Sequence, residues 1–217
     1  MIPGLRGRVE RLLPQPVVVA ATVMLAVLAL IAAWRGAGAA RVGTIVPGTV
    51  LALSLTAMVV VAYQYPIHLR HQTKVLLVTM VYFLLAVLVP APLAALAAGL
   101  GALAGELSRR AYSGAYASDI ASEVGRRVLM VLLGALVAHH AGTTAPQPLA
   151  MLGAALVLAT ADATSTPLVL APVCGDRPWR VLVDTARAAA LAEGVQYVVG
   201  LLGAVAALQY PWTLILL

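Results

Sequence analysis

Long apolar runs, broken by short polar loops, set the pattern of this chain. Val17 to Trp34 is the first of them, and Thr44 to Tyr63 follows after a Gly/Ala/Arg loop, with Pro47 in its first turn. Val75 to Val89 and Leu93 to Leu107 come next, parted by Pro90-Ala91-Pro92, then Val128 to Gly142, expected to extend backwards into the preceding loop, Pro148 to Pro172 and Ala188 to Leu208. About 20 apolar residues cross a bilayer as a helix, with roughly 17 to 25 observed. The runs therefore predict an all-α, polytopic transmembrane helical bundle with seven full spans and no sheet. Prolines spaced as at 90 and 92 end one helix and start the next, so a tight helical hairpin is expected there. Past Pro211-Trp212, Thr213–Leu217 reads as the start of an eighth span. At a rise of about 1.5 Å per residue it cannot cross, and the chain is expected to continue.

Charge fixes an orientation for this pattern. Cytoplasmic loops of membrane proteins collect Lys and Arg. With the N-terminus cytoplasmic, Arg6, Arg8, Arg11, Arg70, Lys74, Arg109, Arg110, Arg126, Arg127, Arg177, Arg180 and Arg187 all fall inside. Of the 14 Lys and Arg residues, only Arg35 and Arg41 fall outside. The first span reads as an uncleaved signal anchor, because its run is too long for a signal peptide. Two inner segments look like more than connectors. Tyr112, Tyr116, Ile120 and Val124 recur every fourth residue between Arg109 and Arg127, the pattern of an interfacial amphipathic helix. Trp179 among Arg180, Asp184 and Arg187 suggests a juxtamembrane anchor.

Composition agrees. Hydrophobic residues make up 62% of the 217 and charged residues 10%, with a mean hydropathy of +0.98. A soluble domain needs about 25% charged residues to wet its surface. A soluble enzyme, a nucleic-acid-binding domain and a disordered regulator are excluded, and residues 1–217 read as a single integral membrane domain without a soluble one. The single cysteine, Cys174, rules out an internal disulfide and a paired-cysteine zinc site.

Ionisable groups inside a bilayer are costly and mark function by default. Asp162 is the foremost candidate, placed near the middle of span six within Thr160-Ala-Asp162-Ala-Thr164-Ser165-Thr166-Pro167. Asp162, Thr160, Thr164, Ser165 and Thr166 form either a ligand or cation site or an interhelical hydrogen-bonding patch. Asp162 should face the bundle interior and find a partner on its own helix or a neighbouring one. Glu193 and Gln196, three residues apart in span seven, share a face and join the candidate set. Glu106 beside Arg109 and Arg110 reads as an interfacial ion pair. The adjacent His139 and His140 point about 100° apart on a helix and do not make a metal pair, and His68 and His71 lack further ligands. Gly101-Ala-Leu-Ala-Gly105 is a small-xxx-small packing motif. No hydrolase elbow, zincin motif or phosphate loop is present, so no catalytic residue, metal or cofactor is assigned and the chain is read as a non-enzyme.

From Tyr65-Pro66-Ile67-His68-Leu69 and Thr73-Lys74 onward, the chain resembles a family of sensors. The Leu-Val-Pro90-Ala-Pro92 hairpin, the Gly101–Glu106 run, Arg-Pro-Trp179-Arg and Tyr-Pro211-Trp212 follow in order. These elements are similar to the multi-helix membrane-associated sensor (MASE-type) regions of bacterial HD-GYP, GGDEF and histidine kinase proteins. The resemblance covers roughly residues 60 to 217 and implies a sensory module in the bacterial inner membrane. Such a module couples a membrane or periplasmic cue to a cytoplasmic output domain. Its expected partners are the lipid bilayer, an unidentified small ligand, and a second copy or an output domain, with no nucleic acid. Two other readings stay open: a small-molecule-binding transporter component like the substrate-binding subunits of vitamin uptake systems, and an accessory subunit of a larger membrane complex.

Overall fold

A computed structural model describes residues 15–37, 42–65, 67–70, 73–75, 77–113, 116–140, 147–174 and 178–210, and no side chain of 15–16, 37, 42–47, 67–75, 111–113, 166–178, 180–182, 184–186 or 188–190. The helices are α1 (Gln15–Ala37), α2 (Val42–Gln64), α3 (Val78–Leu88), α4 (Ala91–Ser113), α5 (Ala117–Ala138), α6 (Pro148–Cys174) and α7 (Pro178–Gln209). Between α2 and α3 stand two short strands, β1 (Ile67–Arg70) and β2 (Thr73–Val75). They pair antiparallel, with Ile67 opposite Val75 and His68 opposite Lys74. The expected eighth-span start at Thr213–Leu217 lies outside the described residues.

The chain is an α-helical membrane protein, but seven full spans are not found among the described residues. There, four helices hold a stretch long and apolar enough to cross a bilayer: Val17–Gly36, Ala91–Arg110, Pro148–Ser165 and Leu191–Gln209. Of the other three, α2 is 23 residues long and uncharged, with side chains described over Gly48–Gln64, and α3 is only Val78–Leu88. The run expected to span from Val75 is consumed at its start by β2, which also overturns the expectation of no sheet. α5 carries Asp119, Glu123, Arg126 and Arg127 in its first half.

Two further boundaries differ from expectation. The Arg109–Arg127 segment is no separate interfacial helix: α4 runs on to Ser113, and α5 begins at Ala117 and continues into the apolar half. Glu123 ties that first half together through ion pairs to Arg126 and Arg127, three and four residues on. Likewise the Trp179 segment and the seventh apolar run are one continuous helix, α7.

The short α3 sits at the centre. It packs against α2, α4, α5, α6 and α7, and Val81 through Val87 are all buried. A helix that is apolar all round belongs inside a bundle, where each face meets a neighbour. The outer helices turn large apolar residues outward, among them Met24, Leu25 and Leu28 of α1 and Leu191 and Leu202 of α7. In a membrane protein those faces meet lipid.

Small residues set the close approaches. A Cβ on Gly101 would lie 2.9 Å from Val59 of α2, and one on Gly105 would lie 2.6 Å from the Tyr63 ring. The small-xxx-small motif therefore faces a neighbouring helix, as its spacing predicts. Pro90–Pro92 forms the expected tight turn: α3 stops at Leu88, α4 starts at Ala91, and the Ala94 amide donates to the Pro90 carbonyl at 2.8 Å. At this end His139 Nε2 donates to the Val89 carbonyl at 3.2 Å, tying the end of α5 to the turn.

Candidate functional site: a buried ionic cluster between α5 and α6

At the opposite end of the bundle, the charged half of α5 meets α6. Glu123, Arg126 and Arg127 share one helix face through spacings of three and four. Arg126 Nε and Nη2 donate to the two Glu123 carboxylate oxygens, each at 2.9 Å, and Arg127 Nε donates to Glu123 Oε1 at 2.7 Å. Both guanidiniums then reach across to α6. Arg126 Nη1 donates to Asp162 Oδ1 at 2.6 Å and to Ser165 Oγ at 2.8 Å, while Arg127 Nη1 donates to the same Asp162 oxygen at 3.1 Å. The Asp162 side chain is 13% exposed and that of Arg127 10%.

This geometry answers the cost of burying charge. An isolated buried ion is penalised by several kcal/mol, on the order of the effective desolvation cost per ion. Two guanidiniums against two carboxylates leave the cluster neutral, and each ion is held by charge-assisted hydrogen bonds. Glu123 lies in the turn before the apolar stretch that opens at Val128, outside the spanning segment. Burial pushes its carboxyl up, but the Arg127 and Arg126 guanidiniums outweigh burial and hold it below the usual carboxylate range.

The cluster extends through aromatic rings to the other side of the bundle. The Arg127 guanidinium stands 5.2 Å over the centre of the Tyr82 ring on α3. The Tyr82 hydroxyl is 3.3 Å from that of Tyr63 on α2. Arg109 of α4 lies 6.0 Å over the Tyr63 ring, and Glu106 pairs with it at 3.9 Å. Five helices thus meet on one connected polar path.

The residues singled out in the sequence divide sharply. Asp162 and Ser165 are in the cluster. Asp162 stands near the middle of α6, as its place in the sequence suggests. Thr160 and Thr164 are not part of the site: both are exposed and donate to backbone carbonyls of their own helix, Leu156 at 2.8 Å and Thr160 at 2.7 Å. The Thr166 side chain lies outside the described residues. Glu193 stands on α7 within the field of Asp162, Arg127 and Arg126. Gln196 is buried at 4% exposure, and neither of its amide atoms has a hydrogen-bond partner among the described residues. Arg126, Arg127, Glu123, Tyr82 and Tyr63 were missed in the sequence. The spacing of Glu123 to the two arginines was a usable signal, but their place in a basic loop hid it.

Among the described residues no group of three or more His, Cys, Asp and Glu could hold a metal ion. An apolar groove of about 240 Å³ runs beside the same stretch of α5, lined by Val23, Val27, Leu103, Val124 and neighbours on α1, α4 and α5.

Fold and site together define an α-helical membrane protein whose helices converge on a buried, charge-neutral cluster. No protein-family model matches the chain, no curated protein matches it, and no solved structure matches it.

Proposed function

We propose that this protein is an integral membrane sensory module of the inner membrane that relays a cue to a cytoplasmic output domain. The observation that carries the reading is the Asp162 crossing, in which one carboxylate oxygen on α6 holds two guanidiniums on α5. A merely structural contact between these helices needs no ions, because apolar residues of similar size often serve as well or better. A buried ionic crossing instead gives two discrete arrangements, paired and parted, which is the element a switch requires. The polar start of α7 supports the same reading. Arg180, Asp184 and Arg187 precede its apolar part, so this end of the helix is suited to a polar environment where a displacement of α6 against α5 can be read by a partner.

The test is a chimera in which the chain precedes a cyclic-dinucleotide-forming output domain. Asp162→Asn and Arg126→Gln part the crossing, so each is expected to shift product level at least severalfold from wild type at equal membrane abundance. Product levels that stay the same in wild type and both variants would overturn the reading.

A further inference from the structure

Glu193, Gln196 and Tyr197 occupy one face of α7, at spacings of three and four. That helix packs against α3 and α6, and Tyr197 meets Phe83 of α3 edge-on with ring centres 6.1 Å apart. Gln196 is 4% exposed. Its Nε2 and Oε1 and the Tyr197 hydroxyl are all buried without a hydrogen-bond partner among the described residues. Orphaned buried polar atoms are rare in folded proteins, because each forfeits its bonds to water. Three such atoms within one helical turn point to a missing partner molecule.

Charge specifies that partner. Arg126 and Arg127 are already matched by Glu123 and Asp162. Glu193, on the same face, makes no ion pair among the described residues, so its carboxyl is the acidic group left for a cation. The Glu193 carboxylate, Gln196 Oε1 and Tyr197 Oη are three acceptors on one face. A primary ammonium has three N–H donors on one positive centre. The Gln196 Nε2 donor then calls for an acceptor beside the ammonium, such as a hydroxyl or ester oxygen. Depth fits as well: Glu193 comes within two turns of Arg187, on the charged side of the apolar part of α7, with Gln196 about a turn further along.

We propose that Glu193, Gln196 and Tyr197 form a binding site for a primary ammonium carrying an adjacent oxygen, of the ethanolamine type. The ammonium can come from a free amine or from a lipid headgroup. The proposal deepens the sensory reading and rests on it for the ligand's role, while binding itself is measured without any signalling output.

The purified full chain is titrated with ethanolamine in detergent, and separately reconstituted in nanodiscs of phosphatidylethanolamine or of phosphatidylcholine, with thermal unfolding as the readout. Choline and phosphatidylcholine, whose quaternary nitrogens have no N–H to donate, are the matched controls. Stabilisation by free ethanolamine identifies a soluble amine, and stabilisation only by the ethanolamine lipid identifies a headgroup. Either is expected to weaken about tenfold or more in Glu193→Gln, the loss of one charge-assisted contact. Gln196→Leu should abolish ligand stabilisation while raising the ligand-free melting temperature, because it removes the orphaned amide; this separates lost binding from lost folding. Equal stabilisation by choline or phosphatidylcholine, no stabilisation by either ethanolamine form, or unchanged binding in both variants would overturn the proposal. A pH response of Glu193 without amine binding would overturn it too.

Discussion

At the scale of single residues, the decisive side chain is Asp162, and what happens on replacing it depends on charge more than on shape. Its Oδ1 accepts from both Arg126 and Arg127. Asp162→Ala would leave the two guanidiniums facing one carboxylate in a sheltered site. Breaking a buried pair in this way costs about 3–5 kcal/mol. Asp162→Asn keeps an oxygen acceptor and loses only the charge, so its loss should be smaller, and the order Ala below Asn below wild type should appear in thermal unfolding in detergent. Equal melting temperatures for all three would mean that the crossing contributes nothing to stability. Asp162 was legible in the sequence because a carboxylate in an apolar run is conspicuous. Its partners were not. Arg126 and Arg127 are separated from it by 36 and 35 residues, and a pairing across two helices leaves no local pattern. The hydroxyls around Asp162 misled for the opposite reason. Thr160 and Thr164 look like pocket residues, yet a helical threonine readily satisfies itself on the carbonyl a turn behind.

Helix lengths and seams belong to the next scale, and here the sequence spoke unevenly. The Pro90–Pro92 turn and the Gly101–Gly105 seam follow from backbone sterics alone, so they were readable. The short α3 was not, because the β2 pairing that shortens it depends on residues across the Ile67–Val75 hairpin. The backward extension of α5 was readable, but its reach through the whole charged half to Ala117 was not, since hydropathy alone ends the helix where charge begins. The glycines give a paired test of the seam. Gly105→Ala would drive a Cβ to 2.6 Å from the Tyr63 ring, and that overpacking is expected to cost about 1–3 kcal/mol. Gly194→Ala meets nothing within 4 Å and should instead stabilise α7 by about 1 kcal/mol, the helix-propensity gain. Opposite signs for the two substitutions in chemical unfolding are the expected result. The same sign for both would show that the α2–α4 approach is looser than its geometry.

For the whole molecule, the arrangement sorts the charged contacts among the described residues to one end. The ionic cluster, Arg109 over Tyr63 and the β1–β2 hairpin lie together, because Tyr63 and Tyr82 stand within about a turn of the hairpin's two flanking helix ends. The Pro90 turn and the His139–Val89 contact mark the other end. A bilayer reads such an asymmetry through the retention of Lys and Arg on the cytoplasmic side. The charged end should therefore be cytoplasmic and the Pro90 end external. With Cys174 replaced by serine, the chain has no other cysteine, so single cysteines can report each side. Tyr65→Cys and Tyr116→Cys probe exposed positions at the charged end, and His140→Cys and Gln147→Cys probe exposed positions at the other. A membrane-impermeant maleimide added to intact cells should label the last two, and the first two only after permeabilisation. The logic does not depend on how many helices cross fully, since it compares only the two ends of one bundle. Reversed labelling would invert the orientation, and labelling of one position from each pair would show that the charged contacts do not share a side.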